Sequence, residues 1–201
     1  MHISDGVLSP YIIGTGWAIA LPTLAISVRR LRTDRVGVYG VVAAAFFAGS
    51  TIHVPVGPFS MHLVLSGMAG LLLGWCALTI VTVGLLLQAL LIGFGGLIVL
   101  GVNISIMALP GAIMGVLGRH WIKQVSPKKR PWIGAFIGGG TIFISAILLY
   151  ATLSTTHTAL MPLAKLVFLG HIPIAIVEGI ISFWLVHFLQ KIKPSLLGVS
   201  T

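Results

Sequence analysis

Seven apolar segments follow one another along the 201 residues, at about 11–28, 36–52, 61–74, 76–92, 97–118, 132–153 and 161–190. A membrane-crossing helix needs about 20 mainly apolar residues, with roughly 17–25 the usual range, and most of these segments meet or approach that length. The pattern predicts an all-α membrane protein, a bundle of seven transmembrane helices forming one domain over residues 1–201. The third and fourth segments are short and almost contiguous, so the chain must reverse tightly near Gly74 and Trp75. A content of 57% hydrophobic and 7% charged residues excludes an ordinary soluble domain. The 25 glycines and 10 prolines fit the membrane class, where neighbouring helices satisfy the backbone groups such residues free. The single cysteine, Cys76, excludes an intrachain disulfide, a cysteine-based zinc site and an iron–sulfur cluster.

The formal charge of +9 is unevenly distributed. Arg29, Arg30, Arg32 and Arg35 follow the first segment; Arg119, Lys123, Lys128, Lys129 and Arg130 follow the fifth; Lys191 and Lys193 follow the seventh. Seven passes put all three groups on one side, and lysine and arginine are retained on the cytoplasmic side. The expected topology therefore has cytoplasmic basic loops at about 29–35 and 119–131 and an external N-terminus, in the cell (inner) membrane. Lys165 is the one exception. The basic loops read as topological determinants, not a nucleic-acid surface, and the partner implied by the apolar segments is membrane lipid.

With this orientation the outer face collects MHISDG, the loop HVPVGPFS at 53–60, GFGG at 93–96 and STTHTAL near 154–160. Pro55, Gly57 and Pro58 prevent a regular helix through the loop, which is expected to shape a pocket. MHISDG lacks the basic stretch and the cleavage site of a secretory signal, and the large His2 favours retention of Met1. A free Met1 amine, the deprotonated His2 amide and the His2 Nδ1 can then chelate one metal ion in a plane. A fourth nitrogen would complete a square-planar set suited to Ni(II) or Cu(II). His53 and His62 are the candidate donors, His62 in a helix expected to begin near Ser60. His53 is as well explained by hydrogen bonding to loop carbonyls, and an arbitrary His2 by simple exposure at a terminus.

The segments MHISDGVLSP, IHVPVGPFSMHLVLSG, LLLQALLIGFGGLIVLGVNISIM and HIPIAIVEGIIS resemble, in order and spacing, the CbiM/NikM family. These are the membrane substrate-capture components of energy-coupling-factor (ECF) transporters for cobalt and nickel. The resemblance covers almost the whole chain and is carried by Met1, His2, Asp5, Gly6, His62, Gln88, Gly95, Gly96 and Asn103. It implies an N-terminus inserted into a seven-helix bundle as a hook, with Met1, His2 and His62 binding Ni2+ or Co2+ as transported substrate and no tightly bound organic cofactor. It also implies a membrane coupling subunit, cytoplasmic ATPase subunits and in some systems a small accessory membrane subunit. The chain departs from the family at 53–62, where His53 replaces an amide-bearing residue and Pro58 and Phe59 replace small polar ones.

Asp5, in the turn Ser4-Asp5-Gly6, is expected to accept backbone donors, with metal ligation as the other reading. Gln88 and Asn103 can support ligand imidazoles or make plain interhelical hydrogen bonds. His171 and Glu178 are seven residues apart and face one stripe of the last helix. A structural polar role fits them: Glu178, expected nearer the cytoplasm than the N-terminus, either pairs with an imidazole or backbone donor in the bundle or forms part of a surface read by the coupling subunit. His120 and His187 are expected at the interface and His157 in solvent. No phosphate-binding loop occurs, so ATP hydrolysis belongs to another chain, and the protein is not expected to be an enzyme. The competing readings are a membrane haem or redox protein with paired histidines and an intramembrane hydrolase built on Ser60 and His62, although Ser60 reads better as a helix N-cap.

Overall fold

The computed structural model describes residues 2–56 and 59–199, without the side chains of residues 54–56 and 59–61. The helices are α1 (Pro10–Val28), α2 (Val36–Thr51), α3 (Ser66–Leu73), α4 (Ala77–Leu91), α5 (Leu100–Asn103), α6 (Leu109–Gln124), α7 (Arg130–Thr156) and α8 (Met161–Ile192). A π turn, Ile104–Ala108, joins α5 to α6. Among the described residues, five stretches are long and apolar enough to cross a membrane: Pro10–Val28, Ser66–Leu91, Leu100–Gln124, Arg130–Thr156 and Thr158–Ile192. The protein is a multi-pass membrane protein. At 16 residues α2 falls just below that length.

Ser66–Leu91 is not one rod. Gly74 has φ +62°, a left-handed value that breaks the helix and suits glycine. Before it, α3 runs alongside α6 in the same direction: Gly70 meets Gly111 and Gly115, and the Leu72 carbonyl accepts from Arg119 Nη1 at 2.9 Å. A Cβ at Gly70 would overlap the Gly111 carbonyl, so this close approach of backbones requires glycine. After the turn, α4 packs on α1 and α2. Ser27 Oγ donates to the Trp75 carbonyl at 2.9 Å, Thr79 Oγ1 donates to Ser27 Oγ at 2.6 Å, and Gly84 sits against Phe46.

Two expectations are corrected here. Residues 59–62 form no helix: β1 (His53–Val56) and β2 (Phe59–His62) make an antiparallel ribbon in the register His53↔His62 and Val56↔Phe59. The third helix therefore starts at Ser66 rather than at 60 or 61, and its N-cap position belongs to Leu65, not Ser60. The physical reason is that Pro55 cannot donate a helical hydrogen bond, while cross-strand pairing of 53–56 with 59–62 supplies partners to the backbone. The expected start at 97 also moves, because the chain becomes helical only at Leu100, and that helix runs to Gln124 instead of 118.

Candidate metal centre

Residues 2–8 lie against the segment that leads into α5. The Ile3 N–H donates to Asn103 Oδ1 at 3.1 Å, and Asn103 Nδ2 donates to the Ile3 carbonyl at 3.0 Å. A single buried amide thus satisfies both backbone groups of one residue, and Ile3 itself is buried. Two residues on, Asp5 Oδ1 accepts the Val99 N–H at 3.0 Å, and Gly6 turns the chain with φ +84°. A Cβ at Gly96 would overlap the Asp5 carboxyl. Asp5 is therefore engaged as a backbone acceptor, and Gly96 is the clearance that lets it approach.

This anchoring places the His2 ring on the ring of His62, with centroids 4.9 Å apart and planes inclined by 18°. His62 Nδ1 lies 2.9 Å from the Leu63 carbonyl. A carbonyl can only accept, so Nδ1 carries the proton and the lone pair is on Nε2. Donation of one ring nitrogen to a backbone carbonyl is the arrangement that fixes the tautomer of metal-binding histidines. Burial holds the His2 imidazole well below the usual histidine range and pushes His62 down to about 3. Both rings are neutral near pH 7, which removes like-charge repulsion from the stack.

Phe94 completes the cluster. Its ring centroid is 6.0 Å from that of His2, 6.2 Å from His62 and 5.4 Å from His53, the last edge-on at 87°. Its backbone is fixed by Gly93 and Gly95, with φ of +68° and +85°, and by donation of its N–H to the Gln88 carbonyl at 3.1 Å. Phe94 is the residue the sequence reading passed over. An aromatic inside a glycine cluster was the available signal, since side chains seldom stand between two left-handed glycines without a packing role. The Gln88 side chain is fully buried, and its amide oxygen and nitrogen have no hydrogen-bond partner among the described residues.

His53 is exposed, and its Nδ1 lies 3.1 Å from the Thr51 carbonyl, the loop-carbonyl role. Met1 lies outside the described residues. Among the described residues, no group of three or more His, Cys, Asp or Glu side chains is arranged to hold a metal ion. Two imidazoles, His2 and His62, are what the fold brings face to face.

Glu178 takes the structural hydrogen-bonding role, paired with backbone donors. It is fully buried and faces the loop before α3, so it belongs to no exposed docking surface. Its Oε1 accepts the N–H groups of Val64 and Leu65, the latter at 2.8 Å. Leu65 has φ +54°, the left-handed region that side chains with a Cβ avoid, at a cost of roughly 1–3 kcal/mol. The carboxyl group therefore holds the strained corner three residues after His62 and with it the path of β2 into α3. His171, one stripe above, donates its Nδ1 proton to the Val167 carbonyl at 2.6 Å and is buried. His157 is exposed, as expected.

Glu178→Ala is expected to leave two backbone donors without their acceptor, each costing about 1–3 kcal/mol. It should lower the unfolding temperature in detergent by several degrees and weaken metal retention. Glu178→Gln keeps a carbonyl oxygen in place and should stay much closer to wild type; equal damage from both would point to the carboxyl charge instead.

The family described as CbiM, the cobalt uptake substrate-specific transmembrane region, matches residues 2–196. This chain belongs to that family. Among CbiM relatives, a Haemophilus influenzae protein whose name assigns it provisionally to metal transport is 38% identical over 98% of this chain and 97% of its own length. The cobalt transport protein CbiM of Sorangium cellulosum is 31% identical over 98% of this chain and 94% of its own. A crystal structure described as a transition metal transporter superposes with a TM-score of 0.83 at 25% identity, covering 96% of this chain and 93% of that one. The shared fold thus extends over almost the whole of both chains.

Proposed function

We propose that this protein captures Ni2+ or Co2+ for uptake across the cell membrane as the substrate-binding subunit of an ECF-type transporter. The observation that carries the reading is the stacking of His2 on His62 at 4.9 Å by an N-terminal segment tied down at Ile3 and Asp5. In this reading the Met1 amine, the His2 amide nitrogen and the His2 Nδ1 supply three coplanar nitrogens and His62 Nε2 the fourth, a set that favours low-spin Ni(II). Asn103, Asp5 and Glu178 hold the ligands without touching the ion, and His53 is a bystander. The domain occupies the whole chain and makes seven passes, α3 and α4 forming an external-to-cytoplasmic-to-external hairpin turned at Gly74. The N-terminus is external and the basic loops are cytoplasmic. A membrane coupling subunit and ATPase subunits supply the energy.

The haem reading fits the geometry poorly. His53 and His62 are directly opposed on an antiparallel ribbon, with Cα atoms about 4.5–5.5 Å apart as such pairs are. Axial ligands must approach a macrocycle from opposite faces, which adjacent cross-strand residues do not do. The decisive measurement is metal analysis of the purified full chain with its N-terminal residue verified by mass. One nickel per chain is expected, with the absorption and X-ray spectra of a four-nitrogen square plane, and binding should release protons and weaken on acidification. Six oxygen-rich ligands would overturn the ligand set, and no retained nickel or cobalt would overturn the function.

A further inference from the structure

At the opposite end of the bundle, where α1 and α6 finish and α4 begins, a cavity of about 440 Å³ is lined by Arg30, Arg35, Arg119, Lys123, Trp75 and Val116, among others. We propose that it is a binding site for the headgroup of an anionic phospholipid. Its polar side chains are mostly donors, with His120, whose Nε2 lies 2.8 Å from Gln124 Nε2, beside them. Four cationic side chains converge on it, and the Trp75 indole Nε1, buried, has no hydrogen-bond partner among the described residues. Arg119 is anchored by its Nη1 bond to the Leu72 carbonyl, so its guanidinium is held in place at the wall.

None of this chain's acidic side chains lines the cavity, although the exposed Asp34 attracts Arg35 from outside it. The chain has three: Asp5 binds the Val99 N–H, Glu178 binds Val64 and Leu65, and Asp34 pairs with Arg32 at 3.0 Å. A concave cluster of donors that lacks an acidic residue is complementary to a ligand rich in acceptor oxygens. The cavity is also half apolar, with Leu73 and Val116 in its wall, and it sits at the ends of membrane helices. A phosphate joined to a glycerol and acyl chains meets both requirements, and basic pockets between membrane helices are known to hold anionic headgroups. An acidic segment of a protein partner would meet only the first.

The test is native mass spectrometry of the full-length protein in neutral detergent, titrated with phosphatidylglycerol or with phosphatidylcholine of the same acyl chains. Phosphatidylglycerol should be retained preferentially. Arg35→Gln and Arg119→Gln should each reduce that preference about fivefold, as expected for one interfacial cation. Lys128→Gln, which removes the same charge from a position outside the cavity, should leave it unchanged. Unfolding temperatures check that each variant is folded; because Arg119 also bonds the α3 backbone, Arg35→Gln carries the decision if Arg119→Gln is unstable. No headgroup preference, or an equal loss in Lys128→Gln, would overturn the proposal. So would displacement of the lipid by millimolar inorganic phosphate alone. Arg35-dependent binding of a hexaglutamate peptide without any lipid preference would assign the cavity to a protein partner and overturn the lipid assignment.

Discussion

A few residues added ahead of Met1 are expected to lower nickel affinity by more than about 100-fold, whereas a tag of the same size after residue 201 should change nothing. Two effects combine. An extension converts the Met1 amine into an amide and so removes a strong donor from the proposed chelate. It must also find room beside a segment that is already fixed: Ile3 is bonded through both of its backbone groups to Asn103, and His2 is packed against both His62 and Phe94, which also touch each other. Loss of an outer-shell group alone typically costs 10–100-fold in metal affinity, so loss of a ligand together with its placement should exceed that. Isothermal titration with nickel on matched tagged proteins measures it. Wild-type affinity in the extended chain would eliminate the N-terminal chelate.

His62→Ala is expected to be comparably severe, and His53→Ala mild. The two residues are paired across the ribbon and differ by only nine positions, yet their surroundings are opposite. His62 is buried, neutral, stacked on His2 and held by the Leu63 carbonyl, whereas His53 is exposed and turned to the Thr51 carbonyl and the edge of Phe94. A titration should show at least about a 100-fold loss for His62→Ala and under about tenfold for His53→Ala, consistent with ligand and non-ligand roles. The reverse order would mean that the departure of this chain from its family at 53–62 has moved the site, and that the exposed imidazole takes the metal.

The relation between chain and structure differs from one element to the next. The long helices were legible because their hydrophobicity is a local property: α1, α2, α4, α7 and α8 begin and end within a few residues of the apolar segments. The reversal at Gly74 was legible for the same reason, since two short apolar runs left no room for a connection. The start of α3 was not. Residues 61–65 are as apolar as helix, and what keeps them out of it is ribbon pairing from one side and the Glu178 carboxyl from the other, 113 residues away from Leu65. The structural hydrogen-bonding role of Glu178 was legible, but its partner was not, because a position counted along α8 says nothing about which loop folds down to meet it.

Within the metal centre, the chemistry of the candidate donors is written in residue types: an imidazole at position 2, a second in the loop, and a carboxylate in a turn can be named from the chain alone. Their convergence cannot. His2 meets His62 because Asn103 satisfies the Ile3 backbone across 100 residues and because Gly96 leaves space for Asp5. By itself the sequence determined the class of protein, most of the helices and the kinds of ligand atom, all of which follow from local hydrophobicity and side-chain chemistry. Only the tertiary structure decided which imidazole is buried against His2, that Phe94 closes the cluster, and that a strained Leu65 is held by Glu178. Each of those rests on hydrogen bonds and close contacts between distant segments, whose partners no local pattern specifies.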